Sequence, residues 1–179
     1  PTGEALVEAD SAGALRALDP DGRETWGFAA AHQGAAASTL VALGTASGDP
    51  SMHPALFASG DDEGVVRIWD LRAPTKACAE LKVHEDFVSD LQVATGPPTA
   101  DGSSQGSATL LSTGGDGRLS ATELRRLGAG SKTDSLKSTH RSDPQDDELL
   151  SCAVLKHGRK VVCGTQAGVL VRQETRPVA

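Results

Sequence analysis

The sequence predicts an all-β fold, and three observations support that prediction. The 179 residues include 20 glycines and 9 prolines, and these separate short apolar runs rich in Val, Leu and Ala. Short apolar runs bounded by turn residues are typical of strands rather than of long helices. The third observation is a repeat, because one short pattern returns along the chain at nearly constant spacing. The length is sufficient for one domain with a hydrophobic core.

The repeat consists of four segments that open on a glycine and carry an acidic residue six positions later. Successive glycines are 51, 53 and 51 residues apart, and a fixed period of this kind indicates a repeat architecture. The four segments cover residues 13–19, 64–70, 117–123 and 168–174. The units therefore end near residues 19, 70, 123 and 174, and together they span the chain from 1 to 179.

Two further runs precede the glycine segment in the later units. The first runs cover residues 39–43, 88–93 and 149–155, and the second runs cover 55–60, 109–114 and 160–164. Near-continuous apolar strands are expected where neighbouring sheets cover both faces of a sheet. The alanine-rich segment 29–37 is interrupted by Gly34 and is too short to be helical by propensity, so we expect a loop that leads into a strand.

The unit that ends at Asp70 resembles a WD repeat, since its sequence is SGDDEGVVRIWD. That motif comprises a strand, a tight acidic-glycine turn and a second strand that closes on the Trp-Asp pair. The other units match through their spacing, because Leu18, Thr122 and Gln173 stand at the Trp position. The resemblance implies a partial β-propeller, with three to four of the four-stranded blades of a seven-bladed ring.

In WD repeats, a His before the first strand of a blade and an Asp in the tight turn form a buried hydrogen-bonded set with the Trp and a hydroxyl group. The resemblance assigns His84 and Asp116 to these positions in one unit. In the preceding unit it assigns His32, Glu63 and Trp69, with Glu63 replacing the usual Asp. These five residues are thus expected to have structural roles within the repeat.

The order of the motifs is similar to that in the WD-repeat-containing protein 55 family. The matching segments are 84–91, 110–117, 142–149 and 158–164, and the similarity covers about residues 12–171. Members of that family are propellers implicated in nucleolar ribosomal-RNA production, and a plant branch is linked to cullin-4 ubiquitin ligases. The resemblance implies a scaffold for protein–protein interactions in the nucleus and nucleolus, with the cytoplasm as a further location.

The residues Trp69, Asp70 and Arg72 are the candidates for partner binding. In the family, a Trp-Asp-x-Arg box marks proteins that dock on the adaptor of cullin-4 ligases, so the resemblance implies a substrate receptor as an alternative function. The planar guanidinium of Arg72 has five donors and suits bidentate pairing with a partner carboxylate. Arg also follows many Trp-Asp pairs as a solvated strand end, and this simpler interpretation stays open.

Catalytic and metal-binding motifs are not recognisable in the sequence. No pair of the five histidines has the close spacing of a zinc site, and the cysteines lack a Cys-x-x-Cys pattern. The sequence contains neither the Gly-Lys-Ser/Thr of a phosphate loop nor a Gly-x-Ser-x-Gly nucleophile turn. We expect no metal, no cofactor and no enzymatic activity. An active site on a propeller face is kept as a remote alternative, because fold does not determine function.

Charge and cysteine content limit the classes of partner and compartment. A net charge of −7 and a pI near 5.1 lack the basic footprint of an autonomous nucleic-acid binder, so contact with pre-ribosomal particles is expected to be indirect. Cys78, Cys152 and Cys163 are an odd number among apolar neighbours, which favours reduced core thiols and an intracellular protein. No apolar run approaches the roughly 20 residues of a membrane helix.

Residues 96–107 and 127–147 have the composition of surface loops, and we expect both to be mobile insertions. Four units cannot close a seven-bladed ring, and an open propeller exposes apolar faces and an unpaired strand edge. We therefore expect the chain to be a fragment of a longer propeller or the product of a truncated gene model. Self-association that completes a ring and closure of four blades are the alternatives.

Overall fold

A computed structural model describes residues 5–44, 55–72, 76–95, 108–124, 138–155 and 160–174. In these ranges the chain forms fourteen strands in four antiparallel sheets, and the strands of each sheet are paired in chain order. The predicted all-β class is confirmed, and the architecture is that of a partial WD-repeat propeller. No helix within the described ranges has the length and apolar character that crossing a membrane requires.

Sheet I contains β1 (Leu6–Ala9), β2 (Leu15–Leu18) and β3 (Glu24–Phe28). Sheet II contains β4 (Ala37–Ala42), β5 (Leu56–Asp61), β6 (Val65–Asp70) and β7 (Ala79–Lys82). Sheet III contains β8 (Val88–Thr95), β9 (Ala108–Gly114), β10 (Leu119–Glu123) and β11 (Ser138–Arg141). Sheet IV contains β12 (Leu149–Leu155), β13 (Lys160–Thr165) and β14 (Leu170–Glu174).

The outermost strands β3, β7 and β11 are absent from the sequence prediction. β11 lies inside the stretch 127–147, so residues 138–141 of the expected insertion form a strand, and the mobility of the stretch stays a prediction. This strand has the polar sequence Ser-Thr-His-Arg and pairs with β10 on one side, so it needs no apolar pattern of its own. The stretch 96–107 and residues 127–137 lie outside the described residues.

The repeat glycines form the turns between the paired strands β1–β2, β5–β6, β9–β10 and β13–β14. All four have positive φ, between 68° and 79°, a conformation that glycine adopts without a steric penalty. Three of their carbonyl groups accept a backbone hydrogen bond from the linker that leads to the next sheet. The donors are the N–H groups of His32 to Gly13 (3.0 Å), His84 to Gly64 (3.2 Å) and Gln145 to Gly117 (2.9 Å). Each turn therefore fixes the start of the following sheet.

The first strand β8 contacts both β4 and β12, so sheets II, III and IV meet along their first strands. Ser38 Oγ donates to the Val88 carbonyl at 2.6 Å, and Ser89 Oγ donates to the Leu149 carbonyl at 2.5 Å. Each serine sits at a register shift of its strand. A bulge leaves one residue unpaired, which frees its side chain to bond to the neighbouring sheet.

Two of the three cysteines belong to the core between sheets III and IV. Cys152 and Cys163 are buried and lie opposite each other in register on β12 and β13, whereas Cys78 is half-buried. All three are free thiols. Burial, with the carboxylate of Asp90 nearby, raises the pKa of Cys163 to about 11 and also raises the pKa of Cys152. Such thiols stay protonated at neutral pH and react poorly.

Candidate functional site

His32 connects the loop after β3 to the second strand of sheet II. Its side chain is buried, with Nε2 2.6 Å from Ser59 Oγ and Nδ1 2.9 Å from Asp61 Oδ2. Its backbone N–H is held by Gly13 on the turn of sheet I. One residue therefore links two sheets through its backbone and its side chain.

Trp69 completes this set from β6. Its Nε1–H donates to Ser59 Oγ at 2.8 Å, so one hydroxyl serves both the indole and the imidazole. The indole is 1% exposed and packs among the rings of Phe28, Phe57 and Trp26. Phe28 and Trp26 come from β3 of sheet I, so Trp69 is a central residue of the core between sheets I and II.

The carboxylate that pairs with His32 belongs to Asp61 and not to Glu63, which corrects the expectation from the sequence. Asp61 is the last residue of β5 and is fully buried, whereas Glu63 is an exposed turn residue two positions later. Asp61 Oδ1 also accepts the backbone N–H groups of Glu63 and Val65 at 3.1 and 2.8 Å. A single aspartate thus caps the turn with one oxygen and holds the histidine with the other.

Arg67 is a member of this set that sequence reasoning missed. It is 5% exposed, and its Nη1 donates to Asp61 Oδ2 at 2.5 Å. Its Nε donates to Glu80 Oε2 at 2.9 Å, on the residue directly opposite in β7. The signal was present in the sequence, since a charged residue at the centre of a buried strand is rare unless it is paired.

The protonation states follow from burial and hydrogen bonding. Burial lowers the pKa of His32 below 6.5 and outweighs the hydrogen bond to Asp61, so the ring is neutral at pH 7. Burial alone would raise the pKa of Asp61, but hydrogen bonds from His32, Val65 and Arg67 outweigh it and hold that pKa below 3.8. Asp61 is therefore ionised, and Arg67 supplies the compensating charge.

The tautomer of His32 follows from the same contacts. A hydrogen on Nδ1 lets His32 donate to Asp61, while Ser59 donates to Nε2 and accepts from Trp69. This assignment satisfies each of these polar groups with one donor for each acceptor. Arg67 Nη1 lies 2.7 Å from the same Nδ1, but with the hydrogen on Nδ1 both nitrogens are donors, so the hydrogen bond of this guanidinium nitrogen is the one to Asp61.

Sheet III contains a second set built around His84. His84 Nε2 lies 2.9 Å from Ser112 Oγ, and Nδ1 lies 2.9 Å from Asp116 Oδ1. Asp116 Oδ2 accepts from Arg141 Nη2 at 2.7 Å and from the backbone N–H of Glu85 at 3.1 Å. His84 and Asp116 are thus brought together as the repeat pattern assigns them. The cation comes from β11 rather than from the third strand of the sheet.

The ionisation states of the second set match those of the first. Burial lowers the pKa of His84. Burial alone would raise the pKa of Asp116, but hydrogen bonds from Glu85 N–H, Arg141 and His84 outweigh it and hold the pKa below 3.8. Each set therefore consists of a neutral histidine, an ionised aspartate and an arginine.

The two aspartates occupy different turn positions, because the histidine rings lie against different neighbours. Asp116 immediately precedes Gly117, whereas Asp61 stands three residues before Gly64. In sheet III the position equivalent to Asp61 is Gly114, where an added Cβ would lie 2.6 Å from His84 Cγ. The ring thus occupies the space that a side chain at that position needs, and the carboxylate comes from the other end of the turn.

Sheet IV uses a different arrangement at the same place. Gln145 takes the backbone position of the histidine, and Asp147 of the same linker accepts the Ala167 N–H at 2.6 Å through Oδ2. That bond, with a second from the Thr165 side chain, lowers the pKa of Asp147. The linker here caps the turn directly, without a histidine between them.

Trp69, Asp70 and Arg72 do not form one continuous surface. Trp69 is a core residue, while the Arg72 side chain is 45% exposed. Arg72 folds back on its own strand end, with Nε 2.9 Å from Asp70 Oδ1 and Nη2 2.6 Å from Asp70 Oδ2. This hydrogen-bonded pairing raises the pKa of Arg72. The guanidinium fork is thus already engaged with a carboxylate in the free chain.

The titratable side chains of the two sets bond to other groups of the same chain. Both ring nitrogens of His32 and of His84 are within hydrogen-bond distance of side chains of the same chain. Across the described residues, no group of three or more His, Cys, Asp or Glu side chains is placed to hold a metal ion. The geometry makes these sets structural ties between sheets.

Comparison with known proteins gives the family. No family model matches the chain. WD repeat-containing protein JIP5 of Malassezia globosa is 35% identical over 175 residues, covering 86% of this chain and 38% of that protein. WD repeat-containing protein 55 of Arabidopsis thaliana is 40% identical over 116 residues, covering 64% of this chain and 27% of that protein.

A third relative, the WD repeat-containing protein 55 homolog of Dictyostelium discoideum, is 34% identical over 113 residues, covering 63% of this chain and 22% of that protein. The chain therefore spans between 22% and 38% of the length of these three relatives. With its repeat glycines, its four sheets and its buried Trp, Ser, His and Asp set, the chain belongs to the WD-repeat family and is similar to WD repeat-containing protein 55.

Proposed function

We propose that this chain is a non-enzymatic scaffold for protein–protein interactions in nucleolar ribosomal-RNA production. The observation that carries the proposal is that His32 and His84 use both ring nitrogens inside the fold. The groups best suited to acid–base chemistry therefore join sheets, and the surface is left for partners. Membership of the WD-repeat family supports the scaffold role. The nucleolar role rests on the resemblance to the protein 55 family.

The charge on the side of the sheets that carries the repeat turns favours contact with proteins rather than with RNA. The linkers bond to the turn glycines, so turns and linkers lie together on this side. Exposed carboxylates here include Asp62, Glu63, Glu85 and Asp86, and they outnumber the exposed cations beside them, Lys82 and Arg141. An acidic surface repels a phosphate backbone, which carries one negative charge for every roughly 1.7 Å of duplex. Pre-ribosomal particles are then reached through their proteins.

The test combines localisation with affinity purification. A tagged protein expressed in its own cells is expected to coincide with a nucleolar marker and to co-purify ribosome-assembly proteins after nuclease treatment. Retention after nuclease shows protein contacts, because RNA-bridged contacts are lost. Exclusion of the protein from the nucleus, or loss of every assembly factor on nuclease treatment, contradicts the proposal.

A second candidate function, a substrate receptor of a cullin-4 ligase, is favoured by the geometry of Arg72. Its exposed side chain holds two nitrogens toward one carboxylate, and the same fork can pair with a carboxylate of an adaptor. Binding a partner carboxylate requires Arg72 to exchange it for the carboxylate of Asp70, the last residue of β6. The residue is thus positioned to bind without disturbing the core.

Adaptor pull-down tests this second function. We expect Arg72→Ala to lose the adaptor, and Arg23→Ala to retain it. Arg23 is a matched control because it is an exposed arginine in the equivalent turn of sheet I. Circular dichroism is expected to be unchanged for both variants, since exposed substitutions alter stability by about 0.5 kcal/mol or less. Failure of the wild-type protein to bind the adaptor removes this function.

A further inference from the structure

Sheet IV differs from sheets II and III at one pair of facing residues. In sheets II and III a serine of the second strand lies opposite a leucine of the first strand, and the pairs are Ser59–Leu40 and Ser112–Leu91. In sheet IV the equivalent residues are Cys163 on β13 and Cys152 on β12. Sheet IV therefore has two thiol groups on one face where its neighbours have a hydroxyl group and a leucine.

The histidine that binds this serine is also replaced in sheet IV. In sheets II and III the serine hydroxyl lies within hydrogen-bond distance of the histidine of the linker. The linker that leads to sheet IV carries Gln145 at the same backbone position. Cys163 thus occupies the serine position of the set in a sheet whose linker has no histidine at that place.

The backbone holds Cys152 and Cys163 in a pair that is suited to a disulfide. The N–H of Cys152 donates to Asp90 Oδ2 of sheet III at 2.9 Å, so it points away from β13. Facing residues whose N–H groups point outward form a non-hydrogen-bonded pair, with Cα atoms about 4.5 Å apart and side chains close together. That separation lies within the roughly 4.4–6.8 Å that a disulfide spans. The two sulfur atoms can therefore be joined without a change of strand pairing.

We propose that Cys152 and Cys163 form a reversible disulfide, with a small-molecule disulfide such as oxidised glutathione as the oxidant. The thiolate of one cysteine attacks a sulfur of the oxidant, so that a mixed disulfide forms and one glutathione thiolate leaves. The thiolate of the other cysteine then attacks the cysteine sulfur of the mixed disulfide and releases the second glutathione. Two electrons and two protons pass from the cysteines to the oxidant, which becomes two thiols.

Sheet III controls access to the pair. Cys152 and Cys163 are 7% and 0% exposed. They share one core cluster with apolar residues of sheet III, which include Leu111, Leu119 and Ala121. Burial raises the pKa of both thiols, so both stay protonated while the sheets are in contact. The oxidant therefore reaches the pair when sheets III and IV separate, and the rate of oxidation reports how often they do so.

Equilibration of the protein in glutathione buffers tests the pair, starting from reduced and from oxidised protein so that slow access does not affect the result. Mass spectrometry after alkylation of free thiols is expected to show a Cys152–Cys163 disulfide and a free Cys78. Because the fold holds the two cysteines face to face, we expect half-oxidation of the folded protein at about tenfold less oxidised glutathione than in urea, at fixed reduced glutathione. A folded protein that is oxidised no more readily than the unfolded one overturns the proposal, as does a disulfide that includes Cys78.

Cysteine variants show whether both thiols are needed. Cys163→Ser introduces the residue that sheets II and III carry at this position, and it is expected to stay folded and to form no disulfide within the chain. Cys152→Ala is the second such variant, and it decides the question if Cys163→Ser unfolds. Cys78→Ser is the matched control and is expected to be oxidised like the wild type. A disulfide within the chain of either of the first two variants, or its loss in Cys78→Ser, contradicts the assignment.

Two serine variants test whether access depends on the contact between sheets III and IV. Ser89 Oγ bonds to the Leu149 carbonyl between these sheets, and Ser38 Oγ makes the same bond to the Val88 carbonyl between sheets II and III. Ser89→Ala is expected to raise the rate of oxidation about fivefold, because loss of this hydrogen bond makes separation of sheets III and IV easier. Ser38→Ala is expected to leave the rate unchanged. Equal rates for the two variants would overturn the role of sheet III in controlling access.

Discussion

Arg67 and Arg141 deliver a guanidinium group to the same kind of histidine–aspartate pair from adjacent strands of the repeat. Arg67 lies on the third strand of its sheet opposite Glu80, whereas Arg141 lies on the fourth strand opposite Ser120. Their nitrogens lie 2.5 and 2.7 Å from the aspartate oxygens. Because the histidines are neutral, each buried aspartate needs a cation to compensate its charge. The arginine is therefore part of what makes the set stable.

Two substitutions, one at the end of β5 and one in the turn that follows, test whether Asp61 or Glu63 is the partner of His32. Asp61→Asn is expected to lower the free energy of unfolding by about 3 kcal/mol, because it removes the buried counter-charge of Arg67 and leaves this arginine with the exposed carboxylate of Glu80. Glu63→Gln is expected to change it by less than about 0.5 kcal/mol, because this side chain is exposed. Urea unfolding monitored by tryptophan fluorescence measures both. Equal effects would contradict the assignment of Asp61 as the histidine partner.

The two serines of the sets differ in how many partners they serve. Ser59→Ala leaves the Trp69 indole N–H and His32 Nε2 without partners, so we expect a loss of about 2–4 kcal/mol. Ser112→Ala affects His84 alone, since Thr122 stands at the Trp position, and we expect about 1–2 kcal/mol. Urea unfolding of the two variants tests this difference, since a lower midpoint with an unchanged dependence on urea concentration reports a loss of stability. A larger effect for Ser112→Ala would show that the shared hydroxyl is not decisive.

The fold was largely predictable because the pattern that defines it is local. The glycines of the turns require positive φ, and the apolar runs between them are buried on both faces, so sequence and structure agree for the strands of sheet II other than β7. The outer strands were not predictable in this way. They pair on one edge only, and β11 has four polar or basic residues whose pairing partner is fixed by β10.

The candidate site was less predictable, because its members are selected by geometry in three dimensions. His84 with Asp116 was identifiable from the repeat alone. Asp61 was missed because the alignment on glycine assigns the carboxylate to the residue before Gly64, while the histidine ring selects one at the strand end. Nothing in the spacing of residues shows that Arg141, far along the chain in an outer strand, reaches a turn of the same sheet.

Acid pH is expected to destabilise the fold in two steps. The pKa values of His32 and His84 are lowered in the folded state, so below about pH 6.5 the unfolded state binds protons more readily and stability falls. The pKa values of Asp61 and Asp116 are also lowered, so their contribution is complete above 3.8 and is lost as pH falls further. Both steps therefore have the same sign, with stability decreasing toward acid.

Urea unfolding at a series of pH values measures the first step. His84→Gln introduces the residue that the next linker carries at the equivalent backbone position, Gln145. This variant is expected to reduce the slope of stability against pH between about 6.5 and 5, because one of the two titrating rings is gone. The absolute stability of the variant is lower, so the slope is the quantity to compare. A slope identical to that of the wild type would show that His84 does not titrate on unfolding.

Alanine substitutions at two turn glycines distinguish two losses of folding stability, one from the backbone conformation and one from steric crowding. Gly64 and Gly168 have nearly equal φ values of 77° and 79°. A Cβ at Gly64 would collide with the carbonyl oxygens of His84 and Asp86, whereas a Cβ at Gly168 meets nothing within 4 Å. Gly168→Ala is expected to cost about 1–2 kcal/mol from the left-handed conformation alone.

Gly64→Ala is expected to cost at least twice that amount, because the linker that carries His84 must also move away from the turn. Thermal unfolding monitored by circular dichroism measures both variants. Equal costs would mean that the linker yields freely, and the hydrogen bond from His84 N–H to the Gly64 carbonyl would then contribute little to joining sheets II and III.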